Sequence, residues 1–360
     1  MSTPDIHANG SVGKKAKLMT ELEQFDEIFP ELVDLLVNPG LNDPEKADAY
    51  RWFKEVLEYN VPHGKKNRGI FVVMAYKHLH PNANDADLKI ARILGWCIEL
   101  LQAFFLVTDD VMDQSFTRRG KPCWFRKEKV GLEAVNDAVY LEACVYRILK
   151  HYIRSKPHYV DIMELFHEIT LSTITGQCLD MTVSPAPGTV DFAKYTLEKY
   201  NAIVKWKTAF YSFYLPVAVA MYMVGEAEEE NHMAAKTILL KMGQYFQVQD
   251  DYLDCYGAPD VIGKIGTDIQ DNKCSWLVVT ALSRASPHQV QILQTNYGSS
   301  DEQKVAKVKQ LFKELNLEQA FREFEETSYT EITELIDTYE GRLPKQLFTE
   351  LVQKIYKRNK

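Results

Sequence analysis

Long stretches of the chain repeat apolar residues every three or four positions, as in Ile90, Ile93, Leu94, Cys97, Ile98 and Leu101, while the alternation typical of strands is rare. That periodicity predicts an all-α fold. Breaks between helices are expected at Pro62 to Gly64, at Pro81 to Asp87, where Asn and Asp can cap a following helix, at Pro185 to Gly188, and at Gly257 to Gly263. None is long or biased enough to be a linker. Residues 18–360 therefore read as one domain, preceded by a polar tail over 1–17 that is expected to be disordered. The acidic run Glu226, Glu228, Glu229 and Glu230 reads as a solvated turn.

One stretch, Thr208 to Gly225, carries no formal charge and is close to the shortest length for a membrane span, roughly 17 to 25 residues. Pro216, Ser212 and its tyrosines, together with the charged stretch that precedes it, favour a helix buried in a large core instead. No membrane span is expected. The chain carries 50 acidic against 42 basic residues, a net charge of −8, which argues against nucleic acid as a general partner, so any phosphate site must be locally basic. Cys97, Cys123, Cys144, Cys178, Cys255 and Cys274 are scattered and form no C-x-x-C pair. They suggest neither zinc nor a disulfide framework, and they suit a reducing cytoplasm. No Arg-rich or apolar leader is visible in the first fifty residues.

Two near-identical clusters carry the first chemical signal. Asp109, Asp110 and Asp113 follow the apolar run Leu100 to Val107, and Asp250, Asp251 and Asp254 follow Tyr245 to Val248, both with the spacing D-D-x-x-D. At about 3.6 residues per turn, the first and last carboxylates of each cluster share a helix face with the middle one at its edge. A single such patch is most simply an exposed acidic face. Two copies, each ending an apolar segment, point instead to the rim of a buried cavity, where hard oxygen donors suit Mg²⁺ shared with a diphosphate.

Cations flank both clusters. Lys65 and Arg68 lie within Gly64 to Gly69, Arg118 and Arg119 follow the first cluster, and Lys264 and Lys273 follow the second. Beside acidic metal sites these residues are useful only if more phosphate arrives than the metals neutralise, which suggests two diphosphates. Lys207 opens the uncharged stretch and would be costly to bury without an anion, so it too is assigned to phosphate. Phe105 lies four residues, and Phe104 five, before Asp109, one turn below the metal site, where they should floor the cavity.

Taken together, these residues resemble the trans-prenyltransferase family of isoprenoid synthases. The segments that carry the resemblance are GKKNRG at 64, LLQAFFLVTDDVMDQSFTRRG over 100–120, GQCLD over 176–180, KTAFYSFYLP over 207–216, FQVQDDYLD over 246–254, GKIGTDIQDNKCSW over 263–276, and the basic C-terminal end from Ile355. The resemblance implies helices around a deep central cavity, a homodimer, and three Mg²⁺ held by the six aspartates and the allylic diphosphate. It implies 1′-4 head-to-tail condensation of isopentenyl diphosphate with dimethylallyl and then geranyl diphosphate, to a fifteen-carbon product. Lys65, Arg68, Gln102 and Arg119 would hold isopentenyl diphosphate, with Lys357 and Arg358 closing over it. Arg118, Lys207 and Lys264 would hold the allylic diphosphate, with Lys273 supporting metal-bound water. Thr208 and Gln247 would steady the carbocation at the allylic end, and the leaving diphosphate would accept the proton. His63, Lys66 and Ala258 depart from the family pattern. A ten-carbon product and a terpene cyclase on the same scaffold are the alternatives, and intact Lys65, Arg68 and Arg119 count against the cyclase.

Overall fold

The computed structural model describes residues 19–184 and 190–358. The expected tail over 1–17 and the expected break at Pro185 to Gly188 lie outside the described residues. Among those described, the helices are α1 (Glu21–Asp26), α2 (Phe29–Leu41), α3 (Ala47–Asn60), α4 (Asn67–Leu79), α5 (Asp85–Met112), α6 (Ala134–Ile153), α7 (Tyr159–Val183) and α8 (Leu197–Ile203). A π-helical segment, Val204–Tyr214, runs into α9 (Leu215–Val224). There follow α10 (Glu229–Tyr256), α11 (Pro259–Ile262), α12 (Trp276–Arg284), α13 (Pro287–Asn296), α14 (Glu302–Glu314), α15 (Leu317–Thr338) and α16 (Lys345–Ile355). The periodicity thus reads the fold class correctly. It misses a two-stranded hairpin, β1 (Thr117–Arg118) against β2 (Lys121–Pro122), which is too short to show an alternation.

Two 28-residue helices, α5 and α10, organise the site. Asn84 caps α5 by accepting from the Asp87 N–H, and Asp85 and Asp87 complement the positive end of the helix dipole. Glu229 and Glu230 do the same for α10. At their C-terminal ends the logic inverts. The aspartate clusters occupy the last turns, where the dipole is already negative, so each helix end demands cations.

The larger core is built from α1 to α7, the π segment, α9, the first part of α10, α15 and α16. A smaller one, with Val248, Trp276, Phe312 and Phe321, lies around the far half of α10, so that helix serves both. Helix α4 crosses α5 at Gly69 and Gly95, where a Cβ on Gly95 would stand 2.5 Å from the Gly69 carbonyl oxygen. Glycine at both positions permits this approach and brings Arg68 beside Glu99 and Gln102 of α5.

The uncharged stretch from Thr208 is not one regular helix. It passes from the π segment into α9, with Pro216 in the first turn of α9 where a missing N–H costs nothing. Its residues through Met221 are buried, as expected of a core element. By length and composition α5 could also cross a membrane, but 78% of that window is buried inside the protein.

Candidate active site

Both aspartate clusters open onto one cavity of about 640 Å³. In α5, Asp109 and its C-cap neighbour Asp113 reach the cavity. Lys207 Nζ stands 3.2 Å from Asp109, and Lys273 Nζ stands 2.8 Å from Asp113. Asp110 turns aside, 3% exposed, and accepts from Arg118, whose Nε and terminal nitrogen lie 3.1 and 2.5 Å away. In α10, Lys264 Nζ stands 3.3 Å from Asp250 and 3.2 Å from Asp254. Asp251 accepts from the Trp276 N–H at 2.8 Å, at the start of α12, and from Gln247 at 2.9 Å. In both clusters the outer carboxylates meet lysines in the cavity and the middle one is bound into the wall.

Electrostatics follow from this crowding. Burial opposes the charge on Asp109, but Lys207, Lys273 and Arg118 outweigh it and hold the carboxyl below its usual range. Burial and the neighbouring Asp109 push Asp113 up. Asp250 is lowered to about 2, since Lys264 and Arg358 overcome its desolvation. Asp251, buried beside Asp250, is raised to about 7 in spite of its hydrogen bonds. Lys207, Lys264 and Lys273 are raised because facing carboxylates overcome their burial.

Two loops carry the flanking cations and are tied together. The Gly120 N–H donates to the Gly263 carbonyl at 2.7 Å, and the Ile265 N–H donates to Thr117 Oγ1 at 3.2 Å. Arg118 and Lys264 thereby enter the cavity as one unit.

Of the residues assigned to the second diphosphate, Lys65, Arg68, Gln102, Arg119 and Arg358 line the cavity, whereas Lys357, expected to close over it, points away and pairs with Glu326 at 2.8 Å. Arg68 donates to Ser212 Oγ at 3.0 Å and lies 4.8 Å from the centroid of Tyr211. In the amide orientation that satisfies both neighbours, Gln102 accepts from Arg68 at 2.6 Å and donates to Glu99 at 3.0 Å. Arg119 is held in a left-handed conformation (φ 54°) and donates to the Asn60 carbonyl at 2.9 Å. Arg358 stacks on Phe246 at 3.8 Å and donates to Gln249 at 3.0 Å. Of the departures from the family pattern, Lys66 pairs with Asp26 at 2.7 Å, and His63 Nε2 lies 3.0 Å from Lys121. Neither occupies the position of another cavity cation.

Thr208 donates to Gln247 at 2.9 Å, joining the two oxygen-bearing side chains assigned to the carbocation. Phe104 and Phe105 line the same space with ring centroids 5.1 Å apart, and Phe105 meets Tyr211 edge to face at 5.3 Å.

Two buried acids received no role from their residue pattern. Glu99, 1% exposed, accepts from the Gly69 N–H at 2.8 Å, and burial raises its pKa. Asp180, 5% exposed, accepts from Lys207 at 2.7 Å and Lys273 at 3.1 Å. Each stands by itself within its turn of a long helix, and its partners are distant in sequence. For Asp180 the motif GQCLD was the available signal.

Among the described residues, no three His, Cys, Asp or Glu side chains converge as a ready metal cage. The lysines stand between the outer carboxylates. The donor set nevertheless suits a hard cation, since Asp109 with Asp113 and Asp250 with Asp254 offer paired carboxylates to a cavity that also admits phosphate.

This fold and site define a class, and the chain belongs to it: the polyprenyl synthetase family, whose model matches residues 50–315. The chain is 55% identical over 342 residues to farnesyl pyrophosphate synthase of Gallus gallus, covering 94% of this chain and 93% of that one. It is 54% identical to the Homo sapiens farnesyl pyrophosphate synthase, covering 94% of this chain and 81% of the human one. A solved Trypanosoma relative, T. brucei farnesyl diphosphate synthase complexed with the bisphosphonate BPH-722, matches with a TM-score of 0.89 at 34% identity, over 94% of this chain and 99% of that one.

Proposed function

We propose that the protein is a farnesyl diphosphate synthase, a prenyltransferase that joins isopentenyl diphosphate first to dimethylallyl and then to geranyl diphosphate. One observation carries the reading: a single cavity is lined by both carboxylate pairs, by the cations that flank them and by Phe104 and Phe105. The allylic diphosphate is assigned to Arg118, Lys207 and Lys264, with Lys273 beside them, and isopentenyl diphosphate to Lys65, Arg68, Gln102, Arg119 and Arg358. Residues 18–360 act as one catalytic domain.

Asp109, Asp113, Asp250 and Asp254 would hold Mg²⁺, three ions per site, with Asp110 and Asp251 fixing the walls. The metal supplies Lewis-acid neutralisation of the departing diphosphate. Arg118, Lys207 and Lys264 add cations where negative charge grows as the allylic C–O bond ionises. Arg68 and Arg119 orient the isopentenyl diphosphate so that its double bond reaches the allylic carbon, turning an encounter into a positioned reaction. Thr208 and Gln247 direct oxygen dipoles at the cation. The released diphosphate takes the proton, so no side-chain base is required. Phe104 and Phe105 stop growth at fifteen carbons.

A homodimer is supported by the exposed apolar side chains of Val135 and Val139 in α6 and of Leu171 and Ile174 in α7. A cytoplasmic setting is supported by six unpaired cysteines.

Incubation of the protein with Mg²⁺, isopentenyl diphosphate and dimethylallyl diphosphate should yield farnesol after phosphatase treatment, identified by chromatography. Geraniol alone would indicate a ten-carbon synthase. A cyclic hydrocarbon, or no product, would defeat the reading.

A further inference from the structure

We propose that Asp180 is a positioning residue, the standing counterion that keeps Lys207 and Lys273 aimed into the cavity once cations have taken Asp109 and Asp113. The inference rests on the prenyl-transfer reading and adds a part to it. Three carboxylates, Asp109, Asp113 and Asp180, meet two ammonium groups here, each lysine touching Asp180 and one member of the α5 pair. Both lysines converge on the same Asp180 oxygen, Oδ2, at 2.7 and 3.1 Å.

The α5 pair stands at a helix end beside open space, and its carboxylates can pass from ammonium to metal. Asp180 is anchored differently. It lies in the body of α7, and one turn earlier in the same helix Gly176 touches the backbone of Lys207, where an added Cβ would lie 2.0 Å from the Lys207 nitrogen. Helix α7 therefore grips Lys207 twice, at its backbone through Gly176 and at its ammonium through Asp180. If Asp109 and Asp113 turned to metal without Asp180 behind them, two ammonium groups would be left unpaired in a desolvated wall, which proteins avoid. With Asp180 in place, each lysine keeps one fixed partner and offers its remaining N–H donors to phosphate.

The test compares full-length wild type, Asp180→Asn and Asp180→Glu. Calorimetric titration with inorganic diphosphate at fixed Mg²⁺ needs no turnover. Asp180→Asn should weaken diphosphate binding by about tenfold or more, the scale for breaking a buried charge pair. It should also raise the Mg²⁺ concentration needed for half-maximal diphosphate binding, since the lysines would then rely on Asp109 and Asp113 alone. In steady state the KM for the allylic substrate should rise in step while that for isopentenyl diphosphate stays within about twofold. Asp180→Glu should recover part of the loss. Diphosphate binding that is unchanged or tighter in Asp180→Asn overturns the proposal, as does an equal rise in both KM values. Should Asp180→Asn fail to fold, Asp180→Ser takes its place, and unchanged diphosphate affinity there overturns the proposal equally. A wild type that binds diphosphate but forms no prenyl product defeats the prenyl-transfer reading alone, and the calorimetric comparison still decides the role of Asp180.

Discussion

Phe105 lies edge to face against Tyr211, and Tyr211 lies 4.8 Å beneath the guanidinium of Arg68. The ring proposed to limit product length is therefore braced by the side chain that packs the isopentenyl end, and cannot swing aside without disturbing both. Replacing Phe105 by alanine should lengthen the product beyond fifteen carbons, and chromatography of the dephosphorylated alcohols reads this directly. Arg119→Ala tests the other end. It should raise the KM for isopentenyl diphosphate by about tenfold or more while the allylic KM stays near wild type, because removing one partner of a charge-assisted contact costs on this scale. At this scale the outer aspartates were legible, since i, i+4 spacing alone sends Asp109 with Asp113, and Asp250 with Asp254, to one face. The fates of Asp110 and Asp251 were not, because their partners, Arg118 on a hairpin and the Trp276 N–H at a helix start, depend on how loops fold back. Glu99 and Asp180 were silent for the same reason.

Helices α5 and α10 each end in carboxylates where their dipoles are already negative, and Lys207, Lys264, Lys273 and the nearby arginines balance them. Mg²⁺ with diphosphate should therefore stabilise the native state strongly. At about 1,000 times the dissociation constant the gain is about 4 kcal/mol. A thermal melt should show a clear rise in Tm that chelation by EDTA reverses, and the absence of any rise would contradict the metal assignment. A second effect comes from α10's first turn. His232 is buried against Tyr214 at 2.9 Å, and burial, with Lys236 nearby, lowers its pKa below the usual 6.5. His63 and His158 shift the same way, also through burial. Between those lowered values and 6.5 the unfolded chain binds protons that the native state refuses, so stability rises with pH across that window and is lost as pH falls through it. Buried acids raised toward this range, Asp251 above all, slope stability the other way, so the histidine contribution is read by difference: the urea midpoint of wild type should gain more, or lose less, from pH 5 to 7 than that of His232→Gln. Helix content and the breaks around Pro62 to Gly64, Pro81 to Asn84 and Gly257 to Gly263 were legible from periodicity and from Pro, Gly and Asn. The π segment was not, because Lys207 to Tyr214 has the composition of any buried helix, and its extra residue per turn is imposed by neighbours packed against it.

On the scale of the molecule, the exposed apolar residues of α6 and α7 give the proposed homodimer a definite test. Val139→Glu should shift the mass measured by light scattering toward the monomer, whereas a persistent dimer would move the interface elsewhere. Cavity architecture was legible only in outline: the paired clusters imply a shared space, but which elements wall it depends on contacts such as Gly69 on Gly95 that no single segment reveals. The ammonium groups lodged between the carboxylates have a wider consequence. Before any ligand arrives the cavity is close to electrically balanced, so loading it is an exchange of ions more than an accumulation of them. On the proposed reading, lysines hold the seats that metals would occupy, and each seat vacated would turn a donor toward phosphate. The site can thus stay folded and desolvated when empty, and the act of filling it is also the act of arming it.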